Sequence, residues 1–260
     1  MAPTQNKKVW LESIYQKYHK PKFIHPDPLE FVYRYSRVQD QEVAGLIAST
    51  LAYGRVKQIL KSTSWVLEKL GPTPSDFLKH ESPKAIRHLT CGFKHRFTKD
   101  EDLCHLLLGI QKNLNHYGSL YECFLAGYSK KDASTLPALS SFVEKLTAVI
   151  LSATKDPSTF PLLPKPDKNS ASKRLHMFLR WMVRKDAIDP GGWDQISPSK
   201  LIVPIDTHMH QVGLKLGFTK RKQANLTTAL EVTAAFSKFS PEDPVKYDFS
   251  LTRVGILKNY

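Results

Sequence analysis

The chain has 260 residues, 41% of them hydrophobic, and a net charge of +14. That apolar fraction can fill one core or two tightly joined lobes, but no apolar run approaches the ~18 residues that a membrane span needs. Three widely spaced cysteines suit neither a disulfide framework nor a zinc site, and a thiolate-held iron–sulfur cluster is excluded. No cofactor is therefore expected. The opening residues lack an apolar stretch of signal-peptide type. The expected location is the cytoplasm, or the nucleoid if the source is bacterial. The charge favours a polyanionic partner, nucleic acid first. Residues 160–222 hold twelve Lys/Arg against five Asp/Glu, so half of the excess charge is concentrated there.

Helical spacing runs through the sequence. Val9, Ile14 and Tyr18 mark a first helix that ends before Pro21. From Gln41 to Leu70 apolar residues recur at three- and four-residue steps, and Gly54 interrupts them, which predicts two helices meeting near Tyr53, Gly54 and Arg55. Gly71 and Pro72 stop the second. Further helices are predicted over Asp76–Lys79, Lys84–Leu89, Asp100–Tyr117, Leu120–Gly127 and Leu136–Ser152, with Asp100 and Ser119 as caps. Prolines and lysines crowd residues 155–168 and predict a compact loop. No alternating strand pattern stands out, so the fold class expected is all-α.

The stretch Ser170–Arg184 predicts the most informative helix. Ala171, Leu175, Phe178, Leu179 and Met182 form an apolar stripe, and Lys173, Met177, Arg180, Trp181 and Arg184 an adjacent face of cations and aromatics. Ser170 is the expected N-cap, with backbone N–H groups beyond it available to a phosphate. Lys173, in the first turn beside Arg174, is either a phosphate contact or a nucleophilic amine. Downstream, Pro204 breaks the chain before another helix, for which Asp206 is a natural N-cap, and Gly217 ends it. A capping carboxylate stays ionised, and an ionised carboxylate can stabilise a sugar that becomes positive as its base leaves. His208 and His210 stand two apart and do not share a helix face, which argues against a metal site.

Together these segments resemble the helix-hairpin-helix DNA glycosylase superfamily. The stretch Pro204-Ile205-Asp206-Thr207-His208 is similar to its proline–x–aspartate–threonine–histidine helix start. Lys173 resembles its nucleophile, and the helix pair from Glu42 resembles the pair whose junction wedges into DNA. Lys173 and Asp206 are 33 residues apart, a spacing most similar to the archaeal 8-oxoguanine glycosylase branch. The chain also resembles a bacterial family related to these enzymes. Two motifs differ: Pro164-Lys165-Pro166-Asp167-Lys168-Asn169-Ser170 replaces the glycine-rich hairpin, and the wedge glutamine is absent.

The resemblance implies one two-lobed helical unit with a helix-hairpin-helix element. Its central lobe would cover about 40–155 and its hairpin and catalytic region 156–217, the terminal segments forming the second lobe. It implies a DNA glycosylase with abasic-site lyase activity, excising a damaged base and most readily an oxidised purine such as 8-oxoguanine. Lys173 and Asp206 would be catalytic. Tyr53, Met177, Phe178, Trp181 and Asp248 would line the base pocket. Arg55, Lys165, Lys168, Arg174, Arg180 and His208 would contact DNA. The partner would be double-stranded DNA with a flipped base, without membrane or obligate protein partner. The alternatives are a non-catalytic DNA-binding protein on the same fold and, third, an RNA-binding protein. Asp248 has a second reading as a helix cap or an ion-pair partner of Lys246 or Arg253.

Overall fold

A computed structural model describes residues 4–151, 162–166 and 169–257. Among these residues there are twelve α-helices: α1 (Thr4–Tyr18), α2 (Val38–Thr50), α3 (Val56–Leu70), α4 (Pro74–His80), α5 (Pro83–Thr90), α6 (Asp100–Tyr117), α7 (Leu120–Leu125), α8 (Leu136–Leu151), α9 (Lys173–Val183), α10 (Thr207–Lys215), α11 (Leu226–Ser237) and α12 (Asp248–Leu257). The β structure among them is a single antiparallel ribbon, β1 (Lys94–His95) against β2 (Thr98–Lys99). No helix of the described residues is long and apolar enough to cross a membrane. The chain divides into two compact units. One comprises Met1–His25, Ala133–Thr135 and Pro166–Tyr260, the other Pro26–Asp132 and Leu136–Lys165.

In the unit that contains α2 to α8, α2 is buried on all sides from Glu42 to Thr50. Its two interior acids are placed where other helices begin. The Asp40 carboxylate accepts the Ser75 N–H at 2.9 Å in the first turn of α4, and Glu42 accepts the Leu120 N–H at 2.9 Å at the start of α7. A buried carboxylate is stable at a helix N-terminus because free N–H groups and the helix dipole both favour its charge. Helices α6 and α8 approach through Gly109, where a Cβ would stand 2.2 Å from the Leu146 carbonyl oxygen. The expected break at Gly54 and the Ser119 cap are both present; Ser119 Oγ accepts the Glu122 N–H at 3.0 Å. Asp100 does not cap α6. Lys99 is the extended N-cap residue because β2 runs straight into the helix, and Asp102 turns back to accept the Lys99 N–H at 2.8 Å. The ribbon itself is absent from the sequence reading, since two-residue strands are too short to show alternation.

In the other unit, α1 and α10 both pack on α12. Glu12 of α1 holds the two residues just before α12, accepting from Lys246 Nζ at 2.8 Å and from the Tyr247 hydroxyl at 2.6 Å. Asn225 caps α11, a helix beyond those the spacing predicts, by accepting the Thr228 N–H at 3.1 Å.

Candidate active site

The residue that starts α9 is Ser172, not Ser170. Ser172 takes a left-handed backbone with φ 40°, and the Ser170 hydroxyl accepts its N–H at 3.2 Å. A serine in that region costs ~1–3 kcal/mol and is kept there by its surroundings. The turn sets Lys173 as the first helical residue. Thirty-three residues on, the buried stretch Leu201–Ile205 delivers Asp206 to the start of α10.

The two Asp206 oxygens have separate tasks. Oδ1 accepts the Met209 N–H at 2.8 Å, as a cap does, and Oδ2 lies 3.2 Å from Lys173 Nζ. About a third of each side chain stays open to solvent, 32% for Lys173 and 34% for Asp206. Burial pushes the Asp206 carboxyl up, but the Lys173 charge and the Met209 N–H outweigh it and hold the group below its ordinary value. The site therefore keeps an anion and an amine in contact, partly withdrawn from water.

Both helices of this pair are fastened to α12. From α9, Arg180 pairs with the Asp248 carboxylate, and from α10 a His208 ring nitrogen lies 3.0 Å from the Leu251 carbonyl oxygen. Burial pushes Asp248 up, against the pull of Arg180 and, further off, Lys173. Behind Asp248, Arg180 of α9 and Arg184 just past its end enter a buried ionic cluster. Arg180 lies 3.2 Å from Asp189, and Arg184 meets Asp189, Asp186 at 2.7 Å and Asp243 at 2.9 Å. Burial raises Asp186, yet His19 at 3.0 Å and Arg184 hold its carboxyl well below the usual range.

This arrangement corrects the surface read from the sequence. Residues Leu175 to Arg184 are all buried, so the face of cations and aromatics expected on DNA is interior except at Lys173. Phe178 packs edge-on against Trp193 with ring centroids 5.3 Å apart, and Met177 and Trp181 are core residues. Arg180 is a buried ion-pair residue rather than an open phosphate contact, because Asp189 and Asp248 come from later in the chain to meet it. Of Asp248's expected ion-pair partners, Lys246 binds Glu12 instead. His208 turns to α12. Arg174 is half-buried near Lys173 in sequence.

Tyr53, Arg55 and Lys165 belong to the other unit. There Arg55 is exposed, Lys165 is half-buried, and the Tyr53 hydroxyl is engaged at 2.8 Å by the His95 carbonyl and at 2.6 Å by Thr98 Oγ1. Lys168 lies outside the described residues. The acids Asp186, Asp189 and Asp243 were not foreseen. Their signal was Arg180 and Arg184, one turn apart and set among apolar residues at the end of α9, which need buried counter-charges.

His176 adds a titration. It is fully buried on α9, neither ring nitrogen has a hydrogen-bond partner among the described residues, and burial lowers its pKa to about 4. The unfolded chain takes up a proton near its ordinary ~6.5, whereas the folded one does not until about 4. Stability from this group is therefore complete above 6.5 and lost as pH falls toward 4, by about 2 kcal/mol between pH 7 and pH 5. Urea melts at both pH values should show that loss, and His176→Phe should reduce it. An unchanged pH dependence would place the proton uptake elsewhere.

Neither the curated proteins nor the solved structures contain a match to this chain. Residues 27–257 match the family model described as "Protein of unknown function (DUF2400)", and the chain belongs to that family.

Proposed function

We propose that this protein is a DNA glycosylase with abasic-site lyase activity. The observation that carries the reading is the 3.2 Å contact between Lys173 and Asp206, each at the first turn of its own helix and each part-exposed. The Asp206 carboxylate stabilises positive charge on C1′ as the glycosidic bond breaks and the base leaves with the bonding electrons. Lys173 passes its ammonium proton to the departing base anion and, as the neutral amine, forms the C1′–N bond. Opening of the sugar ring then yields an imine, and loss of a C2′ proton expels the 3′-phosphate. A damaged base flipped from the duplex is the substrate, because chemistry at C1′ with an in-line amine needs the nucleotide out of the stack. Oxidised purines are the first class to test, with 8-oxoguanine foremost.

The test is borohydride trapping with duplexes that carry an abasic site, 8-oxoguanine or another damaged base. A covalent adduct with the abasic duplex is expected. Absence of an adduct with every duplex removes the lyase chemistry. Base release, measured separately, then decides whether water serves as nucleophile. Binding of DNA with neither adduct nor base release would favour the non-catalytic reading.

A further inference from the structure

The β1–β2 ribbon presents Phe97 to solvent with 77% of its surface exposed, the most exposed large apolar side chain among the described residues. A single exposed phenylalanine is ordinary, but the way this one is held is not. Beneath it, His95 is fully buried, with Nδ1 2.9 Å from Ser62 Oγ and Nε2 3.1 Å from the Tyr53 carbonyl. Tyr53 stacks edge-on against His95 with centroids 4.6 Å apart. Next to Phe97, Arg96 adopts φ 53° and lays its stem over the α2–α3 turn at Gly54. Gly54 has φ 96°, and a Cβ there would stand 2.7 Å from Arg96 Cδ, so the glycine makes the approach possible. A polar network and a strained tip residue thus fix the ribbon, and the Arg96 guanidinium stands 5.4 Å from the centroid of the exposed Phe97 ring.

The surroundings are cationic. Arg55, Lys57, Lys61, Lys94, Arg96 and Lys99 are all exposed. Of the three acids that open α6, Asp100 accepts the Glu101 N–H at 3.0 Å, Asp102 accepts the Lys99 N–H at 2.8 Å, and Glu101 is exposed. At the base of the ribbon a cleft of about 190 Å³ is lined by Gln58, Lys61, Trp65 and Lys94, among others. We infer that this face is a DNA-docking site, with Phe97 stacking on a base at an interrupted point of the helix and Lys61 and Lys94 holding the adjoining phosphate. An aromatic platform beside a row of cations is how bases and backbone are held without sequence readout. The inference rests on the DNA part of the function proposed above and is independent of the Lys173 chemistry.

The probe is a duplex with an unreactive tetrahydrofuran abasic analogue and 2-aminopurine beside it. Wild-type protein should change the 2-aminopurine fluorescence on binding. Phe97→Ala should weaken binding about tenfold and remove that change, whereas Phe97→Trp should keep both. Lys61→Ala and Lys94→Ala should each lower the slope of log affinity against log salt by about one. Thermal melts of Phe97→Ala should match wild type, since the ring contributes little buried surface. If wild-type protein binds the duplex and Phe97→Ala binds it equally well with the same fluorescence change, the docking site is overturned and the DNA reading stands. If wild-type protein binds no DNA at low salt, both fall together.

Discussion

Lys173→Ala should abolish borohydride trapping on every duplex that wild-type protein captures, while binding of the tetrahydrofuran duplex stays within a fewfold. The reason is positional. Lys173 ends in a 3.2 Å contact with a carboxylate and is about a third exposed, so removing it takes away the amine without opening the core. Lys173→Arg sharpens the test, because arginine keeps a cation beside Asp206 but cannot form the imine. Asp206→Asn separates charge from capping. Asparagine is as good an N-cap as aspartate, so the bond to the Met209 N–H survives and α10 should keep its stability. Loss of the anion should still slow base release by roughly a hundredfold to a thousandfold, the usual effect of removing one charge-stabilising group. An adduct that persists in Lys173→Ala would put the nucleophile elsewhere. Base release that survives Asp206→Asn undiminished would leave that carboxylate as a cap and an ion-pair partner only.

How far the sequence could be read follows from which interactions are local. The capping role of Asp206 was legible because it depends on Pro204 behind it and the Met209 N–H ahead. The break at Gly54 and the Ser119 cap were legible for the same reason. The fate of Arg180 was not. Its partners, Asp189 and Asp248, stand 9 and 68 residues away, so the helix pattern alone made it look like a solvent-facing cation. Trp181 shares the face of Arg180 and is buried with it, whereas Phe178 lies on the apolar stripe and packs against Trp193 in the core. Phe97 shows the reverse failure. Nothing in a two-residue strand announces a hairpin, and only the long-range bonds from Tyr53 to His95 and Thr98 reveal a ring held outward. The contact of Lys173 with Asp206 lay between these extremes: each residue could be placed at a helix start, but their meeting depends on α12, which both helices grip.

Asp189→Ala should destabilise the protein by about 3–5 kcal/mol, the cost of removing one partner from a buried ion pair. Asp189 is fully buried and touches both Arg180 and Arg184, and without it two guanidiniums stand one turn apart with less charge to balance them. Arg184 retains Asp186 and Asp243, but Arg180 is left with Asp248 to balance it. Asp189→Asn should cost less, since the amide oxygen still accepts from one arginine. Urea unfolding of wild type and both variants gives the comparison, and a loss below about 1 kcal/mol for Asp189→Ala would mean that water enters the cluster and solvates the arginines. The folded Asp189→Asn protein also reports on the site. With the charge at Asp189 gone, Arg180 leans harder on Asp248, and a shift of α12, which α9 and α10 both touch, would disturb the Lys173–Asp206 contact. The trapping rate should then fall although Asp189 touches neither residue. An unchanged rate in a measurably less stable protein would confine the cluster to holding α9 in place.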